Sequence, residues 1–262
     1  MYIIILAAGQ GTRLRPLTNN LPKCLIEVSG RALLDWQLHA ASSLDIRKIG
    51  IVTGYMNATV GGRSATYFHN PNYETTNMVE TLWCASSIFA NKFVVSYGDI
   101  IFESDVLDSI VSANSHPISV VVDKGWRPYW ERRFDDVLSD AETLQVDSDD
   151  YILSIGQNPS SIKEIDGQYI GLMKFQDEGV DILRTVYNNA KQESLEGRYP
   201  LRGQRPFENL YMTDILQGII DVGFPVHQVS IERGWLEIDT LSDLQLTNSV
   251  TSVKGDRLII NE

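Results

Sequence analysis

The chemistry in this sequence begins with two cations behind a glycine pair. Arg13 and Lys23 follow Gly9-Gln10-Gly11, which itself follows the aliphatic run Ile3-Ile4-Ile5-Leu6. A short β-branched run reads as a buried strand, and glycines directly behind it let the backbone turn tightly around something anionic. Arginine supplies a planar fork of donors for phosphate oxygens and lysine a compact point charge, so the pair is placed to hold phosphate. Two other phosphate loops fit worse. A dinucleotide fingerprint needs a third glycine where Leu14 stands, and a Walker loop needs Gly-Lys-Ser/Thr, which does not occur.

Two carboxylates join these cations as candidates. Asp99 closes the apolar run Phe93–Tyr97 after Gly98, so its carboxylate is expected to project from a strand end into a cleft; its plainer reading is a turn aspartate. Asp239 closes Trp235-Leu236-Glu237-Ile238, where strand alternation puts Glu237 and Asp239 on one face. Its plainer reading is the cap of the helix that follows.

Bringing such groups together requires strands that end side by side. Strand and helix patterns alternate along the chain, which predicts an α/β fold with a mainly parallel sheet. Strands are expected at 2–7, 49–53, 65–69, 93–97, 118–122, 151–155 and 169–175, with short ones near 226–230 and 235–238. Helices are expected at 32–41, from 77 to about 90, at 104–114, 178–191 and 212–222, and from 241 onward. Asn77 with Glu80 three residues later is a capping-box-like helix start. Residues 124–150 combine aromatics, arginines and an acidic tract, and read as an insertion packed on the sheet of a single domain, 1–262. Open α/β sheets bind ligands at strand C-termini, so loops there are expected to build the site.

Composition narrows the partners. No apolar run approaches the ~18–20 residues of a membrane span, and the N-terminal run lacks the basic flank of a signal peptide. Cys24 and Cys84 have no metal spacing and the four histidines are scattered, which leads to the expectation of a cytoplasmic protein with reduced thiols. The net charge of −12 argues against nucleic acid. Residues 1–34 nevertheless hold Arg13, Arg15, Lys23 and Arg31 against Glu27 alone. A basic island in an acidic protein suits a small polyanion such as a nucleoside triphosphate, with no nucleic acid and no membrane as partner.

The segment Leu6-Ala7-Ala8-Gly9-x-Gly11-x-Arg13-x-x-Pro16-Leu17-Thr18, followed by Pro22-Lys23, resembles the signature of the nucleotidylyltransferases, the pyrophosphorylases that activate sugar phosphates and phosphocholine. The resemblance implies a Rossmann-like three-layer α/β/α sandwich with a mixed, mainly parallel sheet. It also implies a reaction in which an acceptor oxygen attacks the α-phosphorus in line and pyrophosphate leaves. Such a transfer needs positioning and positive charge more than covalent help. Nucleotide contacts are implied for Leu6, Ala7, Ala8, Gly9, Gly11 and Thr12. Arg13 is implied on the β/γ phosphates, Lys23 on the α-phosphate and acceptor, and Mg²⁺ on Asp99 and Asp239. Glu237 joins either through water or at the acceptor, and Arg15 is left as a surface residue.

Within that family, Asn70-Pro71-x-Tyr73-x-x-x-Asn77-Met78-Val79-Glu80 and the late Trp-Leu-Glu-Ile-Asp resemble the compact branch that uses CTP. That branch activates phosphocholine, 2-aminoethylphosphonate and phosphorylated glutamine, which implies a small phosphorylated or phosphonate acceptor. Expected acceptor contacts are Asn77, Glu80, Trp126, Trp130, Arg132, Asp214 and Glu237. Aromatics could hold a cationic amine, Glu80 or Asp214 could pair its charge, and Arg132 or Arg133 could take the oxyanion. Each has a plainer reading as core aromatic, surface arginine or, for Asn77, a bare helix cap. Two other functions stay open. One is a sugar-1-phosphate uridylyl- or thymidylyltransferase. The other is a non-catalytic nucleotide-sugar-binding regulatory protein, against which the intact Arg13, Lys23, Asp99 and Asp239 count. A homodimer is compatible with each.

Overall fold

Side-chain alternation along the first strand, β1 (Tyr2–Ala7), sets the layering. Ile3, Ile5 and Ala7 enter one apolar layer, and Ile4 and Leu6 enter the other, as a two-residue period requires of a strand covered on both faces. The computed structural model describes residues 1–261, Arg202 by its backbone alone. The further strands that matter here are β2 (Lys48–Thr53), β3 (Thr66–His69), β4 (Lys92–Tyr97), β5 (Ile100–Phe102), β6 (Ile118–Asp123), β7 (Gln168–Gln176), β8 (His227–Ile231) and β9 (Trp235–Glu237). Seven of them form one sheet in the order β8-β6-β7-β4-β1-β2-β3. Only β7 runs against its neighbours, antiparallel to both β4 and β6.

The helices are α1 (Leu33–Ser43), α2 (Met78–Trp83), α3 (Ser104–Ser112), α4 (Trp126–Arg133), α5 (Glu178–Leu195), α6 (Met212–Asp221) and α7 (Leu241–Val250). Leu33, Leu34 and Trp36 of α1, Leu107 and Ile110 of α3, and the α4 aromatics pack on one side of the sheet. Val79 and Leu82 of α2, Leu183 and Val186 of α5, and Ile215 and Leu216 of α6 pack on the other. The result is a three-layer α/β/α arrangement on a mixed, mostly parallel sheet.

Three local expectations change. The helix starting at Asn77 ends at Trp83, because the Cys84 N–H divides between the Glu80 and Thr81 carbonyls and the chain tightens into the turn Ser86–Ile88. The strand Ile152–Ile155 leaves the main sheet and pairs with Leu144–Val146. The late strand β9 also stays out of the main sheet and pairs antiparallel with β5, a strand the sequence reading did not separate from the loop after Asp99.

Candidate active site

The β5–β9 ladder is what brings the two aspartates together. Its register sets Trp235 opposite Phe102, Leu236 opposite Ile101 and Glu237 opposite Ile100. One step further, the Ile238 N–H donates to the Asp99 carbonyl at 3.0 Å. Asp99 and Asp239 therefore leave the ladder from the same end, and Glu237, two residues before Asp239, keeps to their side. One carboxylate oxygen from each of Asp99, Glu237 and Asp239 lies within 4.8 Å of the other two.

Lys23 stands between the aspartates. Its Nζ donates to Asp99 Oδ2 at 2.8 Å and to Asp239 Oδ1. The lysine stem runs over the glycine loop. Gly11 has φ +70°, and a Cβ there would come within 2.9 Å of Lys23 Cβ, so a side chain would be both strained and in the lysine's path. Thr18 fastens the loop by donating to the Gly11 carbonyl at 2.7 Å. Arg13 reaches the second Asp239 oxygen at 2.9 Å, while its side chain remains 60% exposed and so open to a ligand.

The charges respond to this crowding. Burial alone would lower the Lys23 pKa, but Asp99 and Asp239 outweigh it and hold the ammonium protonated well above its ordinary range. Burial would raise Asp239, and Lys23 and Arg13 reverse that, keeping it below its usual value. Glu237 is pushed up to about 8, first by burial and then by Asp239, with Arg133 offsetting only part.

A hard divalent cation fits these residues. All three groups offer oxygen, as Mg²⁺ prefers, and Asp99 Oδ1 is buried without a hydrogen-bond partner. A buried carboxylate oxygen left without a donor is costly, and a cation would satisfy it.

Behind the carboxylates lies a second tier. Arg133, with its side chain 1% exposed, donates to Glu237 Oε2 at 2.8 Å and to Asp243 Oδ1 at 3.0 Å. Asp243 in turn accepts from the Asp239 and Thr240 N–H groups at 3.1 and 2.9 Å. Thr240 caps α7 and Asp243 closes the capping box, so the capping role open to Asp239 in the sequence belongs to its neighbours. Asp123, fully buried, accepts from Trp235 Nε1 at 2.8 Å and from Arg233 Nη1 at 2.6 Å, which fixes the start of β9.

Two clefts meet at this cluster. The first is lined by Leu6, Ala7, Ala8 and Gly9, by Lys23, Cys24 and Asp99, and by Tyr73, Thr76 and Asn77 around the start of α2. The second is lined by Arg13, Glu237 and Asp239 at the charged cluster, then by Tyr97, Trp130, Trp235, Asp140, Glu142, Gln168, Tyr169, Tyr211 and Thr213. Met78 borders both, and Lys23 links Asp99 in the first to Asp239 in the second.

Several expected acceptor residues stand elsewhere. Asn77 borders the glycine-loop cleft instead, and its side chain accepts from the Met78 N–H as the α2 cap. Glu80 accepts a hydrogen bond from the Tyr187 hydroxyl at 2.7 Å, on the far side of α2. Trp126 is core, 4% exposed. Arg132 is exposed on α4, whereas Arg133 turns inward. Asp214 is tied to Arg205 at 3.0 Å and to the Tyr211 N–H at 2.8 Å. Thr12 is exposed and lines neither cleft. Trp130 and Glu237 do line the second cleft. The sequence reading had no role for Asp123, Glu142, Gln168 or Asp243, and held Tyr73 only within the pattern that resembles the CTP-using branch. Of the first four, Asp243 alone carried a legible signal, three residues after Thr240 at a helix start.

Comparison with known proteins finds relatives along most of the chain. Residues 3–158 match the family model of the MobA-like NTP transferase domain. The chain is 36% identical to the CTP:phosphoglutamine cytidylyltransferase of Campylobacter jejuni, over 94% of this chain and 98% of that one. It is 32% identical to the choline-phosphate cytidylyltransferase of Streptococcus pneumoniae over 40% of this chain and 47% of that one. In structure it is similar to the inositol-1-phosphate CTP transferase of T. maritima (TM-score 0.70, 20% identity, 94% of each chain). It is also similar to the CTP:phosphocholine cytidylyltransferase of Streptococcus pneumoniae (TM-score 0.68, 20% identity, 95% of this chain and 97% of that one).

Proposed function

The chain belongs to the MobA-like NTP transferase domain family and is a nucleotidyltransferase; from that premise we propose that it transfers CMP from CTP to a small phosphorylated compound of the phosphoglutamine type, releasing pyrophosphate. The observation that carries this reading is Lys23 shared between Asp99 and Asp239 where the two clefts meet. CTP is assigned to the glycine-loop cleft and the acceptor to the neighbouring one. The identity to the Campylobacter jejuni enzyme extends over nearly the whole of both chains, which supports the choice of base and acceptor class.

In the reaction an acceptor phosphate oxygen forms a bond to the α-phosphorus while the bond to the bridging oxygen of pyrophosphate breaks, and the electron pair leaves with pyrophosphate. Lys23 is assigned to the α-phosphate, where negative charge builds during transfer. Arg13 is assigned to the departing phosphates, for which a bidentate guanidinium is suited. Asp99 and Asp239, with Glu237 beside them, would hold Mg²⁺, which supplies charge neutralisation on the phosphates. Arg133 and Asp243 keep Glu237 and Asp239 oriented toward that place. We assign the whole of 1–262 to one such domain acting in the cytoplasm; among the described residues, no helix is long and apolar enough to cross a membrane.

The test is pyrophosphate release with Mg²⁺ across CTP, UTP, ATP, GTP and dTTP. Each is paired with phosphorylated glutamine, 2-aminoethylphosphonate, phosphocholine and hexose-1-phosphates. Turnover confined to CTP with a small phosphorylated amino compound is the expected result. Turnover with UTP or dTTP and a hexose phosphate would replace both the base and the acceptor assignment.

A further inference from the structure

The second cleft contains carboxylates without a counterpart. Asp239 is committed to Lys23 and Arg13, Glu237 to Arg133, and the nearby Asp214 to Arg205, whereas among the described residues neither Asp140 nor Glu142 forms an ion pair. Among the described residues, no side chain pairs with the Glu142 carboxylate. Its backbone is nevertheless clamped. The buried Gln168 accepts from the Glu142 N–H at 3.3 Å and donates to the Glu142 carbonyl at 2.9 Å.

Glu142 lines this cleft beside Asp140, Gln168, Tyr169 and Tyr211, and the phosphate-handling Arg13 and Asp239 belong to the same lining. The walls there are aromatic, with Tyr97 and Tyr169 edge to face at 5.7 Å and Tyr211 beside them. A carboxylate held in no ion pair and set among tyrosines suits a cation, through charge-assisted hydrogen bonding and cation–π contact.

We infer that Glu142 reads a protonated amine on the acceptor, which is therefore a phosphorylated or phosphonate compound carrying an ammonium group a few bonds from its phosphorus. This assignment rests on the transferase reading above and adds a specificity residue to it. A carboxylate accepts N–H bonds, so a primary ammonium satisfies Glu142 better than a quaternary one does.

Calorimetry with Mg²⁺ and the non-reacting α,β-methylene analogue of CTP tests this. Two probe pairs are titrated: N-phosphoglutamine against its des-amino counterpart, and 2-aminoethylphosphonate against ethylphosphonate. The wild type is expected to bind the amine of at least one pair roughly 10- to 100-fold tighter, the scale of a hydrogen bond to a charged group. Glu142→Gln is expected to lose that ratio. Equal binding within both pairs, no binding of any probe, or a ratio retained in Glu142→Gln overturns the assignment. If that variant does not fold, the wild-type ratio at pH 5.5 and pH 8 decides. It must grow with pH as Glu142 ionises, read on the N-phosphoglutamine pair, where the amine is too remote to shift the phosphorus group's own titration; in 2-aminoethylphosphonate the ammonium lowers it. Discrimination in binding without any CMP transfer would overturn the catalytic reading and leave the role of Glu142 standing.

Discussion

Arg133 donates to Glu237 at 2.8 Å from a side chain only 1% exposed, and the same guanidinium grips Asp243. A buried cation between two carboxylates is costly to remove, because the partners remain buried and uncompensated. Arg133→Met is therefore expected to lower stability by about 3–5 kcal/mol. It should also reduce turnover, since Glu237 and Asp243 flank and orient Asp239. Urea unfolding measures the first effect and pyrophosphate release the second. A loss below ~1 kcal/mol, the range of exposed pairs, would mean that water already shields this network.

Lys23→Ala removes the charge shared by Asp99 and Asp239. Turnover is expected to fall by at least ~100-fold, the scale for deleting one preorganised charge at a transition state. Near-normal kcat in the variant would take Lys23 out of the mechanism.

Gly11→Ala tests whether the loop acts through the lysine. The new Cβ meets Lys23 Cβ at 2.9 Å and sits on a backbone with φ +70°. A stability loss of roughly 1–2 kcal/mol follows from the left-handed backbone. The activity loss should be larger than stability alone explains, because Lys23 must move off its line to the aspartates. Full activity at temperatures where the variant is folded would show that the lysine position tolerates displacement.

Asp99→Asn replaces one charged oxygen donor and should abolish tight binding of Mg²⁺·CTP while leaving the fold intact. The measurement is a metal titration followed by calorimetry in the presence of CTP. An unchanged metal midpoint would place the cation elsewhere in the cleft.

The parts of this site that lie next to one another in the chain were legible in the sequence. Gly9, Gly11, Arg13 and Lys23 fall within one segment, where local spacing and a single loop fix their relation. The α/β alternation was likewise legible, because buried parallel strands are continuous apolar runs. Less legible was what depends on pairing between distant segments. The apolar run after Asp99 gave no sign that Ile100–Phe102 would zip to Trp235–Glu237. Nor does a pattern of aromatics and arginines tell core from cleft. Trp126 and Trp130 lie one helical turn apart on α4 and are equally buried, yet only Trp130 reaches the second cleft. Arg132 and Arg133 are neighbours in sequence, and helix phase alone sends one to solvent and the other inward.

Glu142 carries the pH prediction. Burial, reinforced by Asp214 and opposed by Arg205, pushes its pKa up to about 7 from an ordinary 4.5. A carboxyl with a raised folded-state value binds its proton more tightly folded than unfolded. Its burial therefore costs nothing below about pH 4.5, and the cost grows between pH 4.5 and 7 and stays constant above. The expected size is about 3 kcal/mol. Glu142→Gln cannot ionise, so it should match the wild type near pH 4.5 and be the more stable of the two at pH 8. Thermal melts of both proteins across that range provide the measurement. A difference that does not change with pH would mean that Glu142 is as well solvated in the cleft as in the unfolded chain, and would remove the desolvation that makes it a strong partner for an amine.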